Sequence, residues 1–181
     1  MSQPAGHLIR MSILIEAISI VVPNQVLEER YPGGVPGFAR DCPNLTFCTD
    51  GYVSRVGFMC MRDTLFFLGM LEACGIDCTA DGPAGEAVVV DQNTGPTQPC
   101  LWLEFSHSEA GVAVCWHACH RPGKLYVPHG WDMERLDAFH SSPGVPFPRR
   151  LRFLRTEDSQ DWYQDRRTGE LLCVERTFTT H

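Results

Sequence analysis

The sequence predicts an α+β fold, a ferredoxin-like antiparallel sheet with helices on one face, plus a β-rich C-terminal extension. Three observations predict it. The run Ile13 to Val22 is rich in β-branched residues and reads as a buried strand. Thr64 to Cys74 carries apolar residues at helical spacing and ends at Gly75, where a left-handed residue closes a helix. Asp50-Gly51 and Arg167-Thr-Gly169 each separate two strand-like runs, the usual signature of a hairpin. The element order β-α-β(β)-α-β-β-β is that of split βαβ units, which pack their helices on one side of an antiparallel sheet.

Taken in order, residues 1 to 10 show no periodicity and are expected to be a disordered extension. Pro23-Asn24 breaks the first strand, and Asn24 is suited to cap a short helix through Arg30. Tyr31 to Gly34 stops that helix, and Pro36 opens a second one ending near Cys42. Leu45 to Thr49 and Tyr52 to Cys60 form the first hairpin. Asp63 caps the helix Thr64 to Cys74, whose Leu65, Phe66, Phe67, Leu68, Met70 and Leu71 cover more than one face. Such a helix is buried on most sides or lies at an interface.

Strands follow at Glu86 to Val90, Cys100 to Phe105 and Val112 to Cys119, the last two alternating with period two. Beyond Arg121-Pro-Gly123 come a short strand at Leu125 to Val127 and a helix from Asp132 to Phe139. A proline-rich spacer spans Ser141 to Pro148. Strands at Leu151 to Arg155, Trp162 to Asp165 and Leu171 to Thr177 complete the chain. The organisation expected is therefore an extension (1–10), an α+β sandwich core (11–120) and a β-rich tail packed on it (121–181).

Composition narrows the function classes. The formal net charge is −7, which argues against nucleic acid and anionic membrane surfaces, since both demand a basic face. The apolar run Ile13 to Val22 is too short to span a bilayer and lacks a cleavage site after it. The chain is therefore expected to be cytoplasmic and of bacterial type. Its nine cysteines are expected to be reduced thiols.

Cys115-Trp-His-Ala-Cys119-His120 is the most suggestive string. Cys115, His117 and Cys119 fall on one side of a strand, and thiolate with imidazole is the donor set zinc prefers. Residues two apart on a strand stand about 7 Å apart, however, against zinc bonds of about 2.0–2.3 Å. A packed sheet face is the preferred reading, with no metal and no cofactor expected. No P-loop, dinucleotide fingerprint or nucleophile elbow is present, so no catalytic residue is assigned.

The tail carries Glu157, Asp158, Asp161 and Asp165 beside Trp162 and Tyr163. Aromatic anchors ringed by charge suit an interface with another, basic protein. The leading expectation is thus a non-enzymatic protein-binding module of the immunity or antitoxin kind, neutralising a toxin domain. An alternative comes from the helix 64–74 and the strands 86–90, 100–106 and 112–119. Over residues 52 to 120 this order resembles one βαβββ module of the vicinal-oxygen-chelate type. That resemblance, to this type or a related α+β barrel, implies a small-molecule-binding protein or enzyme, with Glu104, His107 and His117 as its available ligands. A zinc-binding protein using Cys115, His117 and Cys119 is the third reading.

Overall fold

The computed structural model describes residues 12–78, 85–107, 112–120, 123–132 and 151–177. The expected extension 1–10, the body of the helix expected after Asp132 and the proline spacer lie outside the described residues. Within them the chain is α+β, with three helices and two sheets.

The first strand departs from expectation. Instead of one run, β1 (Ile13–Leu14) and β2 (Ile18–Pro23) belong to different sheets. Between them Ala17 adopts φ +49°, the left-handed region that a Cβ disfavours. Gln92 holds the corner from both sides. Its side-chain oxygen accepts from the Ala17 amide at 2.7 Å, and its own amide donates to the Ala17 carbonyl at 2.9 Å.

Next come α1 (Asn24–Arg30) and α2 (Gly34–Asp41). Asn24 is the first residue of α1 rather than its cap; its side chain donates to Thr49 and accepts from Ser54, tying the helix to the hairpin below. That hairpin is β3 (Cys48–Thr49) and β4 (Val53–Phe58), and its turn uses Asp50-Gly51 as expected. Gly51 has φ +90°, and the Asp50 carboxylate accepts from the amides of Tyr52 and Val53. Then α3 (Met61–Ala73) leads to β5 (Val88–Asp91) and β6 (Gly95–Pro96).

The five-stranded sheet has the order β3-β4-β2-β5-β6, antiparallel throughout. Ile20, Val22, Val56 and Phe58 point to one face and pack with Leu27, Phe38, Phe67 and Leu71, so all three helices cover that side.

The other strands are β7 (Leu103–His107), β8 (Ala113–His117), β9 (Leu125–Val127), β10 (Leu151–Glu157), β11 (Gln160–Asp165) and β12 (Leu171–Arg176). With β1 they form a seven-stranded sheet of order β10-β11-β12-β9-β1-β8-β7. The expectation of one antiparallel sheet over residues 11–120 is met only in part. β7 and β8 sit in this second sheet, which also contains the parallel pairs β1–β9 and β9–β12. The same division separates β5 from β7 and β8, so the βαβββ order does not form one continuous sheet.

The two sheets face each other. Val21, Val53, Val88 and Val90 from one meet Ile13, Ile15, Leu103, Ala113 and Cys115 from the other. Arg55 is buried on the side of β4 that carries Val53; its Nε donates to Ser19 and its Nη1 to the Thr46 carbonyl, each at 3.1 Å. Thr177 ties the end of β12 to the first hairpin, accepting from the Thr49 amide. The outer face of the seven-stranded sheet buries Leu14, Val114, Leu125, Val127, Trp131, Leu172 and Val174. No helix among the described residues is long and apolar enough to cross a membrane.

The corner at Ala17 makes a direct prediction. Removing its Cβ relieves about 1–2 kcal/mol of left-handed strain, partly offset by the greater freedom of glycine in the unfolded chain. Ala17→Gly should therefore raise the thermal midpoint by about 2 °C, and Ala17→Val should lower it by several degrees. Unchanged midpoints in differential scanning calorimetry would show that the chain does not turn at this residue.

Candidate functional site

Helix α3 is the place where sequence and burial diverge most. Thr64, Phe67 and Leu71 are its buried side chains, a stripe at spacings of three and four that seats one face on the sheet. Phe67 packs between Phe38 and Phe58, at ring-centroid distances of 5.8 and 5.5 Å. The remaining apolar residues look outward. Phe66 is 74% exposed and Leu65 58% exposed, with Met61 and Met70 beside them and Met59 just before the helix. Leu68, which an all-round apolar helix would place in the core, is only half-buried.

The ends of α3 are well made. Thr64 donates its hydroxyl to the Cys60 carbonyl, the residue that stands at the N-cap in place of Asp63. Gly75, at φ +82°, lets its amide reach Glu72 and the next amide reach Leu71, closing the helix as expected.

Beside this face runs a groove of about 440 Å³, a size within the range of ligand-binding clefts. Met61, Leu65, Leu68, Gly69 and Glu72 form its helical wall. Cys78, Ala87, Val89, Thr97 and Gln98 form the opposite wall. Burial pushes the Cys78 thiol up to about 12, and the nearby Glu72 carboxylate adds to the effect. Cys78 is therefore a neutral, inert part of the lining at physiological pH.

The acidic tail behaves differently from its appearance in the sequence. β10 and β11 join through Asp158 and Ser159, both at positive φ, as a tight two-residue hairpin requires. Glu157 pairs with Arg155 at 3.0 Å, and the same guanidinium lies 5.3 Å from the Trp162 ring centre. Asp161 accepts from the Thr156 hydroxyl and lies 3.8 Å from Arg176. Tyr163 points to the face opposite Trp162, against the outer core and edge-on to Phe153. Asp165 is buried and accepts from the amides of Arg167 and Thr168, bracing the next turn. Glu157, Asp158, Asp161 and Trp162 thus share the hairpin end, whereas Tyr163 and Asp165 have structural tasks.

The Cys115 string also separates. Cys115 is fully buried between the sheets, where desolvation holds its thiol far above the usual range. His117 ends β8, and Cys119 lies exposed in the turn beyond it. Among the described residues no three His, Cys, Asp or Glu side chains converge as metal ligands do, and that includes Glu104, His107 and His117. His107 instead contacts the Gln92 carbonyl at 2.7 Å.

With this geometry in hand, comparison with protein-family models, with curated proteins and with solved structures finds no match. The sequence offers two readings of α3, burial on most sides or an interface, and the exposed side favours the second. A short helix apolar on every side cannot bury every side against one sheet.

Paired substitutions on α3 test this division. Phe67→Ala should cost about 3–5 kcal/mol, the usual penalty for truncating a buried aromatic. Phe66→Ala, one residue away, should change stability by less than about 0.5 kcal/mol, as at other exposed sites. Denaturant titration of both variants checks the assignment, and a reversed order of costs would overturn it.

Proposed function

We propose that the protein is a protein-binding module whose interface is the exposed side of α3. The observation that carries this reading is that Met61, Leu65, Phe66 and Met70 are exposed on α3, with Met59 exposed just before it. Several large apolar side chains exposed on one helix mark interaction sites on otherwise polar proteins. Methionines and aromatics are suited to the task, because they adapt to a partner and supply much area per side chain.

The acidic hairpin contributes at most steering, since Glu157 and Asp161 already have basic or hydroxyl partners nearby. An immunity or antitoxin role, covering a toxin's site inside a bacterial cell, is the most specific form of the proposal. The chain's net charge of −7 suits a basic partner. The ferredoxin-like reading, expected over residues 11–120, draws support within 18–91 alone, from the order β3-β4-β2-β5 with helices in both crossovers. A second reading, small-molecule binding, is favoured by the groove along α3.

Affinity capture with three baits distinguishes these readings: the native chain, Leu65→Asp/Phe66→Asp, and Asp158→Lys/Asp161→Lys. A specific partner should be retained by the native and tail-reversed baits and lost at least tenfold with the α3 variant, provided circular dichroism shows that variant folded. Loss with the tail variant alone would move the interface to the hairpin. A partner retained by all three baits, or none with a small molecule bound instead, would defeat the reading.

A further inference from the structure

The turn that follows β8 places a thiol on an imidazole. Cys119 Sγ lies 2.9 Å from His117 Nδ1, and the Cys119 amide donates to the same nitrogen at 3.2 Å. The His120 amide closes the turn onto the His117 carbonyl at 2.8 Å. A backbone N–H can only donate, so Nδ1 is the accepting nitrogen of this contact, and the thiol shares its lone pair with the Cys119 amide.

The imidazole is also held in place. Trp102 stacks on it, with ring centres 6.1 Å apart and planes 25° from parallel. Trp102 is fixed in turn, since its indole N–H donates to the Gly85 carbonyl at 2.7 Å and its carbonyl accepts from the Ala118 amide. A nucleophile, a base at hydrogen-bond distance and a group orienting the base are the parts of an activated thiol. Cys119 is exposed, so a small reagent reaches it directly.

We propose that Cys119, with His117 as its general base, is a site of covalent modification that takes low-molecular-weight disulfides. In the step, the Cys119 thiol passes its proton to His117 Nδ1 as its sulfur attacks one sulfur of the disulfide. A new S–S bond forms to Cys119 and the old one breaks. The departing thiolate takes up the proton from the imidazolium, so one disulfide and one thiol give one mixed disulfide and one free thiol. The two cysteines closest to it in sequence, Cys100 and Cys115, pack in the layer between the sheets.

Two of the buried thiols supply the contrast. Burial raises Cys42 and Cys48 to about 12, and it is the thiolate that attacks. The test uses the full chain with glutathione disulfide and, separately, iodoacetamide, reading each site by peptide mass spectrometry. Native Cys119 should react at least about tenfold faster than Cys119 in the urea-unfolded chain, a modest share of what a general base supplies. His117→Gln keeps an acceptor for the Cys119 amide but no base. It should bring the native rate down to the unfolded one while leaving the unfolded rate unchanged. A native rate no higher than the unfolded rate in the wild-type chain would overturn the proposal without recourse to any variant. An undiminished rate in folded His117→Gln would overturn it equally.

Discussion

The architecture depends on the corner at Ala17, where one β-branched run leaves one sheet and enters another. Because β1 lies inside the seven-stranded sheet and β2 inside the five-stranded one, the two sheets share a covalent seam through interior strands of both. Gln92 satisfies both backbone groups of Ala17, so the corner exposes no unpaired amide or carbonyl to the interior. Everything between the sheets follows from this seam. The valines of β2, β4 and β5 find their partners only because Ile13 and Ile15 have been turned to face them. Thr177 then closes the far end of the same junction, joining the last described strand to the first hairpin.

A polar group sits inside this apolar layer. Arg55 is buried, and the partners that receive its hydrogen bonds are the Ser19 hydroxyl and the Thr46 carbonyl. Burying a guanidinium is costly unless its donors are satisfied, and neutral oxygens satisfy them while leaving the charge in place. That charge is felt nearby: it opposes, without cancelling, the desolvation that raises the Cys48 and Cys115 thiols. The interior thus suppresses thiol chemistry where cysteines pack. The turn after β8 presents one thiol beside an imidazole.

The surface shows a complementary division. On the β10–β11 hairpin Glu157, Asp161 and Asp165 are engaged by neighbouring side chains and turn amides, so the acidic appearance of the sequence overstates the field available to a partner. On α3 the reverse holds. The helix contributes Thr64, Phe67 and Leu71 to the core and leaves Met61, Leu65, Phe66 and Met70 exposed, the apolar surface on which the proposed interface rests. The two features are separate on the chain and make separate demands, apolar contact at α3 and charge at the hairpin.

The sequence by itself determined the elements whose causes are local. Asp50-Gly51 makes its turn because glycine accepts positive φ and the aspartate caps the next two amides. Gly75 ends α3 for the same conformational reason, and the strands of the tail lie close to where alternation and turn residues put them. Only the tertiary structure decided how these parts are shared out. Ala17 carries no mark of a corner in its neighbours; the bend exists because Gln92, far along the chain, holds it. Tyr163 and Asp165 read as surface residues until the outer core and the following turn claim them. Cys115 and Cys119 are alike as letters, yet one is enclosed by the facing sheet and the other stands past the strand's end. Periodicity states which sides of an element are apolar. Whether a side is covered depends on distant segments, and that is why the exposed face of α3 and the Cys119–His117 pair emerge only in three dimensions.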